Sequence, residues 1–240
     1  MARLEELGSE LIHEMEQKNA AREKVLTASR ELTRSCALSI RAVHRGENDR
    51  ARELRDRAKA ISDEITAELQ DHPDLCYAGY ILDSRKELAE AAITYAIINR
   101  LPIPSRHDLG VEPASYLNGL GETVGELRRF ILDKLRQGDM ERCEEILQVM
   151  DDIYSILVTI DFPDAMTGGL RRTTDTVRGI MEKTRGDLTT ALRQRELALA
   201  LERVGVKAAD LGLGPEEPEL GSSSQHFSPT MQNSEHPERL

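Results

Sequence analysis

Hydrophobic residues recur every three or four positions along most of this chain, and turn signals divide the pattern into six stretches. Such spacing places apolar side chains on one face of an α-helix, and no segment alternates with the period of two that a half-buried strand needs. The predicted helices cover residues 3–43, 49–70, 75–99, 113–138, 139–159 and 170–204. We therefore predict an all-α fold, a bundle of six or seven mostly long helices.

Glycine and proline positions set the predicted helix ends. Residues 45–48 form the turn between the first two helices, and Asp74 is the expected N-cap of the third. Pro113 opens the fourth helix at its first position, where proline is tolerated. Gly138 suits the left-handed conformation that ends it.

The composition changes at residue 205, after which proline, glycine and serine are frequent and acidic residues outnumber basic ones. A segment of this kind cannot bury enough apolar surface to fold. We predict one helical domain over residues 1–204 and a disordered acidic tail over 205–240.

Composition and charge narrow the class of protein. Hydrophobic residues make up 39%, charged residues 31%, and the net charge is −11. With so few apolar residues, long helices would leave apolar stripes exposed in a monomer, which predicts an oligomer. Aromatic residues are only 3%, so stacking of bases on aromatic side chains is disfavoured. The composition still allows nucleic-acid binding through a locally basic face on this acidic protein.

The location follows from two absences in the sequence. No stretch approaches the roughly 18 apolar residues of a membrane span, and the N-terminus has no apolar signal-like region. Cys36, Cys76 and Cys143 are widely spaced and odd in number, which indicates reduced thiols. We expect a cytoplasmic protein without membrane contact.

Two glutamates of the third helix carry candidate chemistry. Glu87 and Glu90 lie about 60° apart on a stripe shared with Ala91, Thr94 and Ile98, so two carboxylates face a mostly apolar surface. Burying such a pair requires a cation, a proton or an arginine, and a divalent metal is one answer. The alternative is a wet helix edge where they pair with Lys86 or Arg85.

Acidic residues on two further helices are also candidates. Glu126 lies at the border of an apolar stripe, with Glu122 on the polar side, and locally it resembles a solvated glutamate. Asp151 lies within the apolar stripe of the fifth helix, so it binds an arginine, caps a neighbouring backbone or joins a metal site. In the Glu126 helix, Gly119, Gly121 and Gly125 recur on one quarter of the surface, which indicates close approach by another helix or, less readily, by a ligand.

Other chemistries find little support. The helices offer Glu-x-x-Glu with no nearby histidine, which argues against a ferritin-like di-iron site. Phosphate-loop, GxSxG and HExxH motifs are missing. Gly168-Gly169-Leu170-Arg171-Arg172 at the start of the last helix could hold an anion, or could form a turn with solvated arginines.

An ordered set of short stretches resembles the translin family, within it the branch of translin-associated factor X. The stretches are SRELT at 29–33, CALSIRAVHR at 36–45, YLNGLGETVGELRR at 116–129, Gly138-Asp139 and Val149-Met150-Asp151. The likeness covers residues 15–204. The linker before the Tyr-Leu run is shortened and the tail matches nothing, which suggests a compact microbial or archaeal member that forms a homo-oligomer without a translin partner.

The resemblance implies an all-α subunit of a hollow, usually octameric shell that binds single-stranded RNA or DNA. The factor X branch resembles a Mg²⁺-dependent endoribonuclease, and its Glu-x-x-Glu matches Glu87 and Glu90, a pair that translin lacks. It implies Glu90, Glu126 and Asp151 as metal ligands and Glu87 as ligand or water-orienting base. Four arginines are expected to hold the RNA backbone, although each could equally form a surface salt bridge: Arg41, Arg45, Arg128 and Arg129. The rival hypotheses are a non-catalytic shell for single-stranded nucleic acid and a helical adaptor that binds only protein.

Overall fold

All six long helices predicted from the pattern are present. The computed structural model of the chain describes residues 2–210, and every regular element in this range is helical. The long helices are α1 (Ala2–His44), α2 (Asn48–Glu68), α3 (Gly79–Ile98), α5 (Pro113–Gln137), α6 (Met140–Thr159) and α8 (Leu170–Asp210). Three short elements join them: a 3₁₀ helix (Pro73–Tyr77), α4 (Arg106–Leu109) and α7 (Asp164–Thr167). The all-α prediction is confirmed.

Most of the predicted helix ends are confirmed, and two are wrong: the start of α3 and the end of α8. Gly46 with φ of 73° turns the chain between α1 and α2, and Gly138 with φ of 76° ends α5 in the left-handed region. Asp74, however, lies in the 3₁₀ helix, and the N-cap of α3 is Ala78. Because the 3₁₀ helix delays the start of α3 to Gly79, Asp74 lies too early in the chain to cap it, and its carboxylate forms an ion pair with Lys18 of α1.

The last helix continues beyond its predicted end at residue 204, to Asp210. The predicted tail lies outside the described residues from position 211 on. Contacts within the chain divide it into two units, residues 1–194 and 195–240. In the second unit the structure describes the last turns of α8, which expose several aliphatic side chains: Leu197, Leu199, Leu201 and Val204.

Helix α3 lies at the centre of the first unit, packed against α1, α2 and α5, while α5 also packs against α6. Leu88, Ile93 and most other residues of α3 are buried. A helix that is apolar on nearly every side is one that its neighbours surround. Glu87 and Glu90, which lie among these buried residues, are therefore themselves half-buried.

The cysteines and the membrane question agree with the sequence predictions as far as the structure reaches. Cys36 and Cys143 are buried, Cys76 is half-buried, and all three are free thiols. Within residues 2–210 no helix combines the length and apolarity that a membrane crossing requires. The cytoplasmic location stays a prediction.

Candidate functional site

The carboxylates of Glu87 and Glu90 lie one helical turn apart on α3 and are both half-buried. Residues three apart on a helix are surface neighbours, so the two side chains share one edge of α3. Lys86 precedes them, and its Nζ lies 3.8 Å from Oε1 of Glu87. Arg85, the other proposed partner, points elsewhere: it is buried and forms an ion pair with Glu112. Of the salt-bridge alternative, only the pair of Lys86 with Glu87 is present; among the described residues Glu90 has no ion pair, and neither glutamate lies on an exposed edge.

Helix α5 approaches α3 closely because residue 119 is a glycine. A Cβ atom there would lie 2.6 Å from the backbone oxygen of Lys86 and 3.0 Å from the amide nitrogen of Glu90. Such distances do not occur for real Cβ atoms, so only glycine permits this crossing. Gly121 meets Thr173 of α8 in a similar way, whereas Gly125 faces open space. The predicted close approach by a helix is confirmed at two of the three glycines.

This crossing brings Glu122 of α5 to the two glutamates of α3. One carboxylate oxygen from each of Glu87, Glu90 and Glu122 lies within 4.8 Å of the other two. We call these three residues the carboxylate cluster. The one ion-paired cation at the cluster among the described residues is Lys86, whose Nζ donates a 2.7 Å hydrogen bond to Oε1 of Glu122.

Three acids sharing one lysine shift the titration of the cluster. Burial, followed by the charges of Glu87, Glu122 and Glu126, raises the pKa of Glu90 to about 8. Burial also raises the pKa of Glu87. Burial alone would lower the pKa of Lys86, but its hydrogen bond to Glu122 and the surrounding carboxylates raise it. The cluster is therefore short of positive charge.

The donor set fits a hard divalent cation. Mg²⁺ takes oxygen ligands, keeps several waters and needs only a few protein carboxylates. Glu87, Glu90 and Glu122 supply such oxygens from two helices, and a cation placed among them would offset both the burial and the repulsion that raise the pKa of Glu90. The cluster could hold Mg²⁺ or a similar ion.

Glu126 lies one turn beyond Glu122 and outside the group of three. It is half-buried, and its Oε2 lies 2.5 Å from Nε2 of His44 at the end of α1. This hydrogen bond lowers the pKa of Glu126. Since its charge still acts on Glu90, Glu126 borders the cluster without belonging to it. The expectation of a solvated glutamate is wrong, because α1 covers it.

Asp151 of α6 also lies outside the group of three. Its half-buried carboxylate forms an ion pair with Arg185 of α8. Of the three roles that the sequence left open for Asp151, binding an arginine is the one the structure places there. Its assignment as a metal ligand stays a prediction, as does that of Glu126.

The four arginines assigned to RNA differ in their freedom. Arg41 and Arg45 are exposed near the end of α1, and Arg129 is exposed 3.8 Å from Glu126. Arg128 is instead held by α8, donating to Asp187 Oδ2 at 2.7 Å and to Thr184 Oγ1 at 3.0 Å. Their contacts with nucleic acid stay predictions.

The family model of translin matches residues 20–184, well over half of the chain. The chain belongs to the translin family. A relative at 34% identity is an uncharacterized protein of Methanocaldococcus jannaschii, aligned over 82% of this chain and 87% of that protein.

Solved structures agree with this family and with the fold. AfC3PO matches at a TM-score of 0.73 and 34% identity, covering 78% of this chain and 97% of that one. Another structure, the complex of AfC3PO with duplex RNA, matches at a TM-score of 0.72 and 32% identity, with the same coverage. NeC3PO without ligand matches at 0.70 and 22% identity, covering 76% and 96% of the two chains, which shows the fold alone.

Glu122 is the cluster residue that sequence reasoning did not select. It lies on the polar side of α5 and so resembled a solvated glutamate. Gly119, three residues earlier, was the usable signal, since a glycine at a helix crossing marks the face that meets the neighbour. Glu122 lies on that face, inside the most distinctive stretch of the translin-like sequence.

Proposed function

We propose that this translin-family chain binds RNA and cleaves single-stranded RNA as a Mg²⁺-dependent endoribonuclease. The observation that carries the proposal is the carboxylate cluster, in which three acids approach within 4.8 Å and share one lysine. A helix crossing with only a structural role has no need of three acids, because burial penalises their charged forms. A cation and the phosphate that it attracts account for them.

Each residue of the carboxylate cluster has a proposed role in this reaction. When bound, Mg²⁺ lowers the pKa of a coordinated water and shields charge on the phosphate under attack. Glu87 and Glu122 offer oxygens from two helices whose spacing Gly119 fixes. Glu90 gives up the proton that it holds near neutral pH when a cation takes that proton's place. Glu87 keeps its proposed role as ligand or water-orienting base.

Glu126 and Asp151 remain proposed further ligands from the family resemblance. Glu126 supports the site through its charge, which acts on Glu90, while His44 holds its carboxylate in place. Asp151 must leave Arg185 before it can reach a metal. Exposed Arg41, Arg45 and Arg129 are proposed to hold the RNA backbone, with Arg128 doing so only if it leaves Asp187.

We also propose that the chain works as a homo-oligomer, with the octamer as the number that the resemblance implies. The first half of α1 exposes a run of large apolar side chains, with Leu4 at 71% and Met15 at 64% exposure: Leu4, Leu7, Leu11, Ile12 and Met15. A monomer rarely leaves so many apolar groups in water. A sedimentation mass equal to one chain at micromolar protein would contradict this.

The competing function is binding without cleavage. It is favoured by Lys86, which already neutralises Glu122, and by the proton on Glu90, since together they satisfy much of the cluster without a metal. Translin-family binding shells of this kind would shift RNA and leave it intact.

One experiment separates the two functions. The purified protein is incubated with labelled single-stranded RNA, single-stranded DNA and duplex RNA, each in Mg²⁺ and in EDTA. The duplex is included because AfC3PO has been solved with one. Cutting of single-stranded RNA only in Mg²⁺ supports the nuclease, and a gel shift without cutting supports the binding protein. If the protein neither cuts nor shifts the nucleic acids, both functions are contradicted.

A further inference from the structure

A cavity of about 400 Å³ adjoins the carboxylate cluster between α3, α5 and the start of α8. It shares two residues with the cluster, Lys86 and Glu122, so its contents would lie beside whatever the cluster holds. The remaining polar lining comes from Asp83, Ser115, Asn118, Arg172 and Thr173. We call this cavity the anion pocket, for the reasons that follow.

The neutral walls of the pocket are fixed by hydrogen bonds that do not involve its two cations, Lys86 and Arg172. Thr173 donates to Oδ1 of Asn118 at 2.6 Å, and Asn118 donates to the backbone oxygen of Thr167 at 2.8 Å. Ser115 donates to the backbone oxygen of Leu82 at 2.9 Å. Since these neutral side chains already bond to one another or to backbone oxygens, they form a preset frame in which the charged groups decide what binds.

Arg172 is an unused cation of this pocket. Its guanidinium makes no hydrogen bond and no ion pair with the side chains that the structure describes, residues 3–204. It extends from the first turn of α8, directly after Gly168 and Gly169, whose φ angles are 60° and 83°. The first amides of a helix carry partial positive charge, which adds to that of Arg172.

Lys86 is a cation with two possible partners. Its Nζ lies 2.7 Å from Glu122 and 3.8 Å from Glu87, and the residue also lines the pocket. A cation at the cluster would compete for the same carboxylate oxygens. Lysine has a flexible stem, so a displaced ammonium can turn from the cluster to an anion in the pocket.

We propose that the anion pocket binds a phosphodiester group of RNA adjacent to the carboxylate cluster, with Lys86 and Arg172 as its cations. The identity of the substrate rests on the proposed function, whereas the pocket itself rests on the cavity, the unpaired arginine and the shared lysine. Asp83 and Glu122 also face the pocket, so the pocket becomes strongly attractive for phosphate once a metal neutralises the cluster. Metal and RNA backbone are thus expected to bind cooperatively through Lys86.

The test compares neighbouring arginines. R172Q removes the pocket cation, while R171Q is its matched control, because Arg171 occupies the same turn of α8 but lines a different cavity, beside Phe162 and Asp175. Binding of a fluorescein-labelled oligouridine with 2′-O-methyl riboses, used to suppress cleavage, is followed in Mg²⁺ and in EDTA over a series of salt concentrations. R172Q should weaken binding about tenfold and reduce the salt slope by about 0.7, the value for one phosphate contact on a single strand. Equal binding by R172Q and R171Q would overturn the pocket.

Lys86 is tested by titrating Mn²⁺ into the folded protein by calorimetry, without RNA. K86Q should bind Mn²⁺ several-fold more tightly than the wild type, since it lacks the competing ammonium, whereas K86R should resemble the wild type. Unchanged Mn²⁺ affinity in K86Q would overturn the shared role of Lys86. Circular dichroism confirms that each variant folds.

The pocket and the nuclease can fail separately. Loss of RNA affinity in R172Q alone, with no cleavage by the wild type in any metal, refutes the nuclease and supports the pocket. Cleavage by the wild type, with R172Q and R171Q equally active and equally tight in RNA binding, refutes the pocket and supports the nuclease.

Discussion

Two residues of the same type, Glu90 and Glu145, lie in electrostatically opposite surroundings. Glu145 on α6 accepts from Arg142 at 2.5 Å and from Arg100 at 2.6 Å, and these hydrogen bonds lower its pKa to about 2. Glu90 on α3 has two acids as near neighbours, and burial together with their charges raises its pKa to about 8.

The difference lies in how many cations serve each carboxylate. On α6, two arginines serve one exposed glutamate; at the α3–α5 crossing, one lysine serves three half-buried glutamates. Buried acids without partners mark functional sites more often than paired surface acids do. The contrast therefore favours the crossing, and not the richer salt bridges elsewhere, as the place where the proposed cation would bind.

The largest expected effect is on catalysis. Replacing Glu87 and Glu90 together by glutamine should abolish Mg²⁺-dependent cutting of single-stranded RNA, with a loss of about a hundredfold or more, because glutamine keeps the shape but removes the charge that holds the metal. RNA binding should stay equal or become slightly tighter, since less negative charge faces the phosphates. A cleavage time course and a filter-binding assay measure the two effects.

Matched variants sharpen this prediction. E122Q should lose cleavage as E87Q does, because Glu122 belongs to the same group within 4.8 Å. D151N tests the sequence-based assignment of Asp151, which the structure pairs with Arg185. Wild-type cleavage in the Glu87/Glu90 double variant would remove these residues from the site and leave a binding protein.

Much of the fold could be predicted from the sequence because local signals carried it. The 3.6-residue period gave six long helices, and Gly138 and Pro113 marked the two ends of α5. The prediction for Asp74 was wrong because the chain first forms a 3₁₀ helix over Pro73–Tyr77, so that α3 begins only at Gly79.

The site was predictable only in part, for the same physical reason. Glu87 and Glu90 could be selected because both lie on one helix, where spacing alone makes them neighbours. Glu122, and the coverage of Glu126 by His44, depend on how separate helices cross. Gly119 indicated that another helix approaches α5 closely, but it did not indicate which face of α3 would make the contact.

The next effect is on stability and its pH dependence. In EDTA, E90Q should be more stable than the wild type by roughly 2–4 kcal/mol above pH 8, and nearly equal to it below pH 4.5. Between these values the unfolded chain loses the Glu90 proton while the folded chain keeps it, so wild-type stability falls as pH rises through this window. Urea unfolding at several pH values measures it. A constant difference across pH would contradict the raised pKa of Glu90.

A smaller effect is expected at the helix crossing. G119A should destabilise the protein by about 1–3 kcal/mol, because its Cβ would press on the backbone of α3 at Lys86. It should also weaken Mn²⁺ binding, since α5 carries Glu122 away from Glu87 and Glu90. G125A, which meets nothing within 4 Å, is the control and should be neutral or stabilising by up to about 1 kcal/mol. Equal melting temperatures of the two variants would show that the crossing is not close.

The smallest effect should arise at Glu145. E145Q should cost at most about 1 kcal/mol at pH 7, because the carboxylate is 41% exposed and solvent screens its ion pairs. Arg142 keeps its hydrogen bonds to the backbone oxygens of Ile97 and Ile98, at 3.0 and 2.9 Å, so its buried charge stays satisfied.

The pH dependence of E145Q should have the opposite sign to that of E90Q. The pKa of Glu145 is depressed from 4.5 to about 2, so its contribution is present above pH 4.5 and disappears as pH falls through about 2. Urea unfolding should therefore show E145Q slightly less stable than the wild type at pH 7 and closer to it as the pH is lowered through this window. If E145Q instead became more stable relative to the wild type as the pH rises, as E90Q should, the two glutamates would have similar environments. The shortage of cations would then no longer distinguish the α3–α5 crossing.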